Sequence, residues 1–218
     1  MTAPLDTQVA ERVAALCLDR RGRLSPLLIC ATAVRAGLLV DLARDGRLSE
    51  TPDSISLDDA PTGSPAADLL LHDVRAHPGT ALDGWLDRPR PVLRDVAGEA
   101  VEAGRWELRR GLHLRPRFQA ADPGQAATDR ARDPAGDTGG WTPDDAAVTA
   151  IAWSAGLLRL PRTANPVLRG TDPLPAAALD AGGSLRWLLA TVAGHLAETR
   201  QRYVLQSMAL HDGIARPS

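Results

Sequence analysis

A chain of 218 residues with 44% apolar residues can bury a real core, as one domain or two small ones. Its formal charge of −2 excludes a global attraction to nucleic acid or an anionic surface, so any such binding must come from a local patch. Two cysteines are too few for a disulfide framework, and no apolar run reaches the roughly 20 residues that a membrane span needs.

All 25 basic residues are Arg, since Lys is absent. Together with the heavy use of Ala, Gly and Pro, this reads as codon bias from a G+C-rich bacterial genome. Every cation is therefore a planar fork suited to bidentate phosphate contact. No signal-peptide pattern opens the sequence, because Glu11 and Arg12 interrupt the first apolar stretch, so a cytoplasmic protein is expected.

In chain order, Val9, Val13, Leu16 and Cys17 recur at helical spacing over 6–19, and the helix ends in the turn Asp19-Arg20-Arg21-Gly22. Ser25 and Pro26 open a second helix that runs to Asp45-Gly46 and is apolar on nearly every side, as a helix enclosed by others would be. Cys17 and Cys30 fall in these apolar stretches and read as reduced core residues. Short strands are expected at 47–49 and 54–57. The stretch DDAPTGSPAADLLLHDV at 58–74 raises the question of a phosphate loop. Such a loop needs a Lys and a hydroxyl after its second Gly, and here Gly63 is followed by Ser64 and Pro65, so the stretch reads as a turn with Ser64 capping a helix. A short helix carries Trp85, and another from Pro91 places Leu93, Val96 and Ala100 inward before Gly104.

Residues 105–118, RWELRRGLHLRPRF, alternate in type and turn at Arg110-Gly111, which predicts a β-hairpin. Residues 119–140 are poor in large apolar side chains and read as a flexible linker or disordered loop. Thr142 and Asp145 predict a capping box at a helix start, a Pro-rich connector spans 161–175, and a long final helix begins at Ser184. The expected fold class is mainly α: a single helical domain over 1–218 with one or two small β-hairpins, one of them protruding.

Catalytic patterns are missing. His72 and His77 lack metal-ligand spacing, and Ser207, His211 and Asp212 are neighbours on one helix end that cannot assemble a triad. No enzyme, metal or cofactor is expected. Two features ask for more than a structural reading. Arg35 interrupts a nearly all-apolar helix, where a cation needs a carboxylate, a path to solvent or an anionic ligand. The hairpin interleaves Arg105, Arg109, Arg110, Arg115 and Arg117 with Trp106, Leu108, Leu112, Leu114 and Phe118. A solvated strand face accounts for some of these arginines, and an anionic membrane interface accounts for a tip both cationic and apolar.

The ordered set ALCLDRRGRL at 15–24, VRAGLLVDLARDGRL at 34–48, DAPTGSPAADLLLHDV at 59–74, GWL at 84–86 and LRDVAGEAVEAG at 93–104 resembles the Golgi phosphoprotein 3 family, with a looser match at 144–160. The resemblance implies a mostly helical domain with a protruding hairpin. It also implies a peripheral membrane adaptor, not an enzyme, that binds the phosphatidylinositol 4-phosphate headgroup in a basic pocket and lays its hairpin on the membrane. The family's mid-helix Arg matches Arg35. Its pocket Trp falls on Pro26, and its Arg pair maps onto Arg90 and Arg94, although a register fixed on Gly104 sets the second position on Leu93. The expected headgroup-binding residues are Arg35, Arg90 and Arg94, and the expected membrane-contacting hairpin residues are Trp106, Leu108, Arg109, Arg110 and Leu112. The partners implied are an anionic phospholipid surface and a client protein, with homo-oligomerisation through the hairpin as a further option and no nucleic acid. The alternative is a soluble helical interaction module that has lost the lipid site.

Overall fold

The computed structural model describes residues 5–51, 55–109, 116–120, 122–158 and 173–214. Helix α1 (Gln8–Leu16) leads into α2 (Leu28–Arg44), and the pair β1 (Leu48–Glu50) and β2 (Ile55–Leu57) follows. Next come α3 (Pro65–Ala76), α4 (Leu82–Leu86), α5 (Leu93–Glu102) and the hairpin strands β3 (Trp106–Arg109) and β4 (Arg117–Ala120). The chain continues through α6 (Pro123–Ala131), α7 (Pro143–Ser154), α8 (Ala176–Asp180), a 3₁₀ turn and α9 (Arg186–Ile214). The expected mainly α class with small antiparallel hairpins is what the chain adopts.

Every residue of α2 from Ile29 to Leu42 is buried, because α1, α3, α4, α5, α7 and α9 all pack on it. Its all-round apolarity is thus the imprint of a central helix. The crossing with α1 is close: a Cβ on Gly37 would sit 2.6 Å from the Ala10 Cα, so any side chain there would push the two helices apart. Helix α2 starts at Leu28, two residues later than Pro26, because the Ser25 hydroxyl accepts from the Leu27 N–H (3.3 Å) and Leu27 remains extended.

The two N-cap readings hold. The Ser64 hydroxyl accepts from Ala67 N–H and Pro65 opens α3, while Thr142 and Asp145 form the capping box of α7. The position a phosphate would take at the start of α3 is filled from within: the Glu99 carboxylate accepts from Ser64 Oγ and Ala66 N–H, both at 2.9 Å.

The 119–140 stretch departs from the expected linker. Its first residues complete β4, and α6 follows with Asp122 as N-cap (Gln125 N–H to Asp122 Oδ1, 2.9 Å) and with Ala126 and Asp129 buried. The composition misled because α6 buries a methyl group and a carboxylate in place of a stripe of large apolar side chains. The 161–175 connector lies mostly outside the described residues, which resume at 173.

Asp41 performs a capping task that the first helix does not supply for itself. Thr7, the N-cap of α1, makes no side-chain cap bond, and Val9 and Ala10 N–H donate instead to the two Asp41 oxygens (3.0 and 2.9 Å). Burial pushes the Asp41 carboxyl up to about 8, against the pull of those N–H groups and of Arg44. Asp41→Ala leaves both donors unpaired and should cost about 2 kcal/mol in urea unfolding. The folded-state value lies above the unfolded 3.8, so this group's contribution falls as pH rises from about 4 to about 8. Asp41→Asn, which stays neutral, should flatten that part of the stability–pH curve. An unchanged slope would contradict the assignment.

Candidate functional site

The turn after α1 is built by its own backbone. Asp19 Oδ1 accepts from Arg21 N–H (2.7 Å) and Arg23 N–H (2.9 Å), and Asp19 N–H returns to the Arg23 carbonyl (2.9 Å). The Arg23 N–H, the Arg21 N–H and the nearby guanidinium groups hold the Asp19 carboxyl below the usual carboxylate range. Gly22 sits at φ +72°, and its carbonyl accepts from Phe118 N–H at 2.7 Å. A Cβ on Gly22 would lie 2.5 Å from the Phe118 carbonyl oxygen, so only glycine lets strand β4 dock on this turn. The hairpin is in turn pinned by the Leu108–Phe118 pairing and by the edge-on contact of Trp106 with Phe118, ring centroids 6.4 Å apart.

Between the turn, the start of α2, the start of α5 and β4 lies a cavity of about 420 Å³, lined by Asp19, Arg23, Leu24, Pro26, Arg94, Pro116 and Phe118. Two arginines line it from segments about seventy residues apart in sequence. Arg23 Nε is buried with no hydrogen-bond partner among the described residues. Arg94 is exposed on the first turn of α5 and joins none of their ion pairs. Arg20, Arg21 and Arg117, on the same turn and strand, are likewise exposed. Among the described lining residues Asp19 is the one carboxylate against Arg23 and Arg94, so their summed charge is positive although the chain's is not.

The expected site residues divide. Arg94 lines the cavity with Pro26, the residue on which the resemblance set a Trp. Arg90 is exposed and turned away, its Nη2 donating to Asp95 Oδ1 (3.0 Å). Arg35 does not line the cavity and is only 1% exposed. Its Nε donates to the Leu86 carbonyl (2.7 Å), Nη1 to the Pro91 carbonyl (3.0 Å) and Nη2 to Thr32 Oγ1 (3.1 Å). Burial lowers its pKa to about 10, with Asp87 and Asp73 opposing, so it stays charged at neutral pH. The mid-helix cation therefore ties α2 to the chain just before α5, through backbone carbonyls that no sequence pattern announces.

On the hairpin, Trp106 is 6% exposed and packs in the core, which corrects its expected place at a membrane. The inward alternation of β3 puts it there. Leu108 is half-buried, Arg109 is exposed and pairs with Glu107 (3.2 Å), and Arg110 and Leu112 lie outside the described residues. Sequence reasoning missed Arg23. The basic turn was visible, but its convergence with Arg94 depends on how β4 docks.

Among the described residues, no three His, Cys, Asp or Glu side chains gather as a metal site, and no helix is long and apolar enough to cross a membrane. The fold and this site define a class: helical domains that present a two-stranded hairpin beside an arginine-lined cavity. The model of the Golgi phosphoprotein 3 (GPP34) family matches residues 9–172, and the chain belongs to that family. No curated protein matches it.

Proposed function

We propose that this protein is a peripheral membrane protein, a non-enzymatic adaptor in kind, that binds anionic phospholipid headgroups in the cavity between Arg23 and Arg94. Phosphatidylinositol 4-phosphate is the lipid that family membership favours. The observation that carries the reading is that Arg23, whose buried Nε has no hydrogen-bond partner among the described residues, lines one cavity with Arg94, which joins no ion pair among them. A phosphate monoester would accept from the exposed N–H groups of both forks. Arg35 would set the geometry from behind, and Arg109, Arg110 and Leu112 on the hairpin would meet the surrounding lipid surface.

Vesicle flotation tests this. Each Arg near an anionic surface contributes about 1 kcal/mol, so Arg23→Gln/Arg94→Gln should weaken binding to vesicles containing phosphatidylinositol 4-phosphate by about 30-fold. Added salt should weaken the wild type as well. Equal flotation with neutral phosphatidylcholine vesicles, or undiminished binding by the double variant, would refute the proposal. It would leave the soluble interaction module, whose interface would be the 184–212 helix, where Leu205 is exposed, or the hairpin edge.

A further inference from the structure

We infer that Leu27 and Leu28 form a membrane-inserting wedge at the rim of the arginine-lined cavity, its occupant being the headgroup–acyl boundary of an anionic bilayer; the inference rests on the lipid-binding reading above. Leu27 is 62% exposed and Leu28 57%, whereas every residue of α2 from Ile29 to Leu42 is buried. The change falls between adjacent residues, so it marks the outer end of the helix and is not a side effect of its apolarity. Leu27 occupies the N-cap position, where a polar side chain ordinarily accepts from the first turn, and no side-chain cap bond is made. A helix start that gives up its cap for two solvent-facing leucines is costly in water and suited to a site where the leucines leave water.

The surroundings select the bilayer. Pro26, the residue before the pair, lines the cavity that Arg23 and Arg94 share, and Arg20 and Arg21 are exposed on the docked turn next to Arg23 in the chain. Arginines at phosphate depth beside leucines reaching deeper form the amphipathic arrangement of an interfacial contact. A two-fold contact between copies through this face would set the same arginines against one another, with Asp19 as the one counter-charge among the described lining residues. Two leucines also fall short of the roughly 1,000 Å² that a stable protein interface buries.

The experiment compares wild type with Leu27→Ser/Leu28→Ser on two probes. One is phosphatidylcholine vesicles doped with phosphatidylserine and phosphatidylinositol 4-phosphate. The other is soluble inositol bisphosphate, which engages the cavity without a bilayer. Both leucines are exposed, so thermal melting of the variant should match wild type. The expected result is at least a tenfold loss of vesicle partitioning, about 1.4 kcal/mol, with inositol bisphosphate binding unchanged. Undiminished vesicle partitioning by the variant would overturn the wedge while leaving the headgroup site standing. Loss of inositol bisphosphate binding would overturn it too, by assigning the leucines to the cavity's structure. A wild type that binds neither probe would remove the underlying reading and the wedge together. A dimer in light scattering that the variant converts to monomer, with vesicle binding intact, would give the leucines to self-association instead.

Discussion

Asp129→Ala should destabilise the protein by roughly 3–5 kcal/mol, the cost of stranding a buried charge. Asp129 is 0% exposed and sits on α6, where its carboxylate accepts from Arg12 Nη2 (2.7 Å), Arg12 Nε (3.1 Å), Arg132 Nη1 (2.5 Å) and Gln125 Nε2 (2.9 Å). Arg12 also reaches Asp145 Oδ1 (2.6 Å), as does Arg132 Nη2 (2.8 Å). Two cations and two anions thus join α1, α6 and the start of α7. Burial works against the Arg12 charge, yet bonds from Asp129 and Asp145 outweigh it and hold its pKa above the ordinary value. Removing Asp129 leaves two half-buried guanidinium groups sharing one carboxylate. In a protein of this size a kcal/mol is worth about 2–4 °C, so the melting temperature should fall by roughly 10 °C. Asp129→Asn keeps an acceptor and should cost less. A change below about 1 kcal/mol for the Ala variant would mean that α6 contributes little to the fold, as a linker would.

Arg35→Leu should cost roughly 2–4 kcal/mol, because the Leu86 and Pro91 carbonyls are left buried without donors. Relief of the guanidinium's own desolvation offsets part of that loss, which keeps the value below that of Asp129→Ala. Arg35→Lys carries the charge but cannot span three acceptors with one ammonium, so it should fall between wild type and the Leu variant. The functional readout separates a structural cation from a ligand. If Arg35 only positions the start of α5, the folded fraction of the Leu variant should still bind anionic vesicles at low temperature. An unaltered melting temperature with lost vesicle binding would instead return Arg35 to direct headgroup contact.

Much of the helical framework was legible because its causes are local. The burial of α2 is written in its uninterrupted apolar residues, the starts of α3 and α7 in Ser64-Pro65 and Thr142–Asp145, and the hairpin in the alternation around residues 105–118. Periodicity and capping act within a few residues of chain, so the sequence by itself determined these elements and the order that marks the family. Tertiary structure alone decided α6, whose buried face is an alanine and a carboxylate, and whose arginine partner lies 117 residues away. It alone gave Arg35 backbone carbonyls for partners, since a carbonyl belongs to every residue and leaves no mark on composition. The cavity is of the same kind. Arg23 and Arg94 line one cavity because Gly22 lets β4 dock on the turn, and an arrangement made by packing has no period along the chain for a sequence to display.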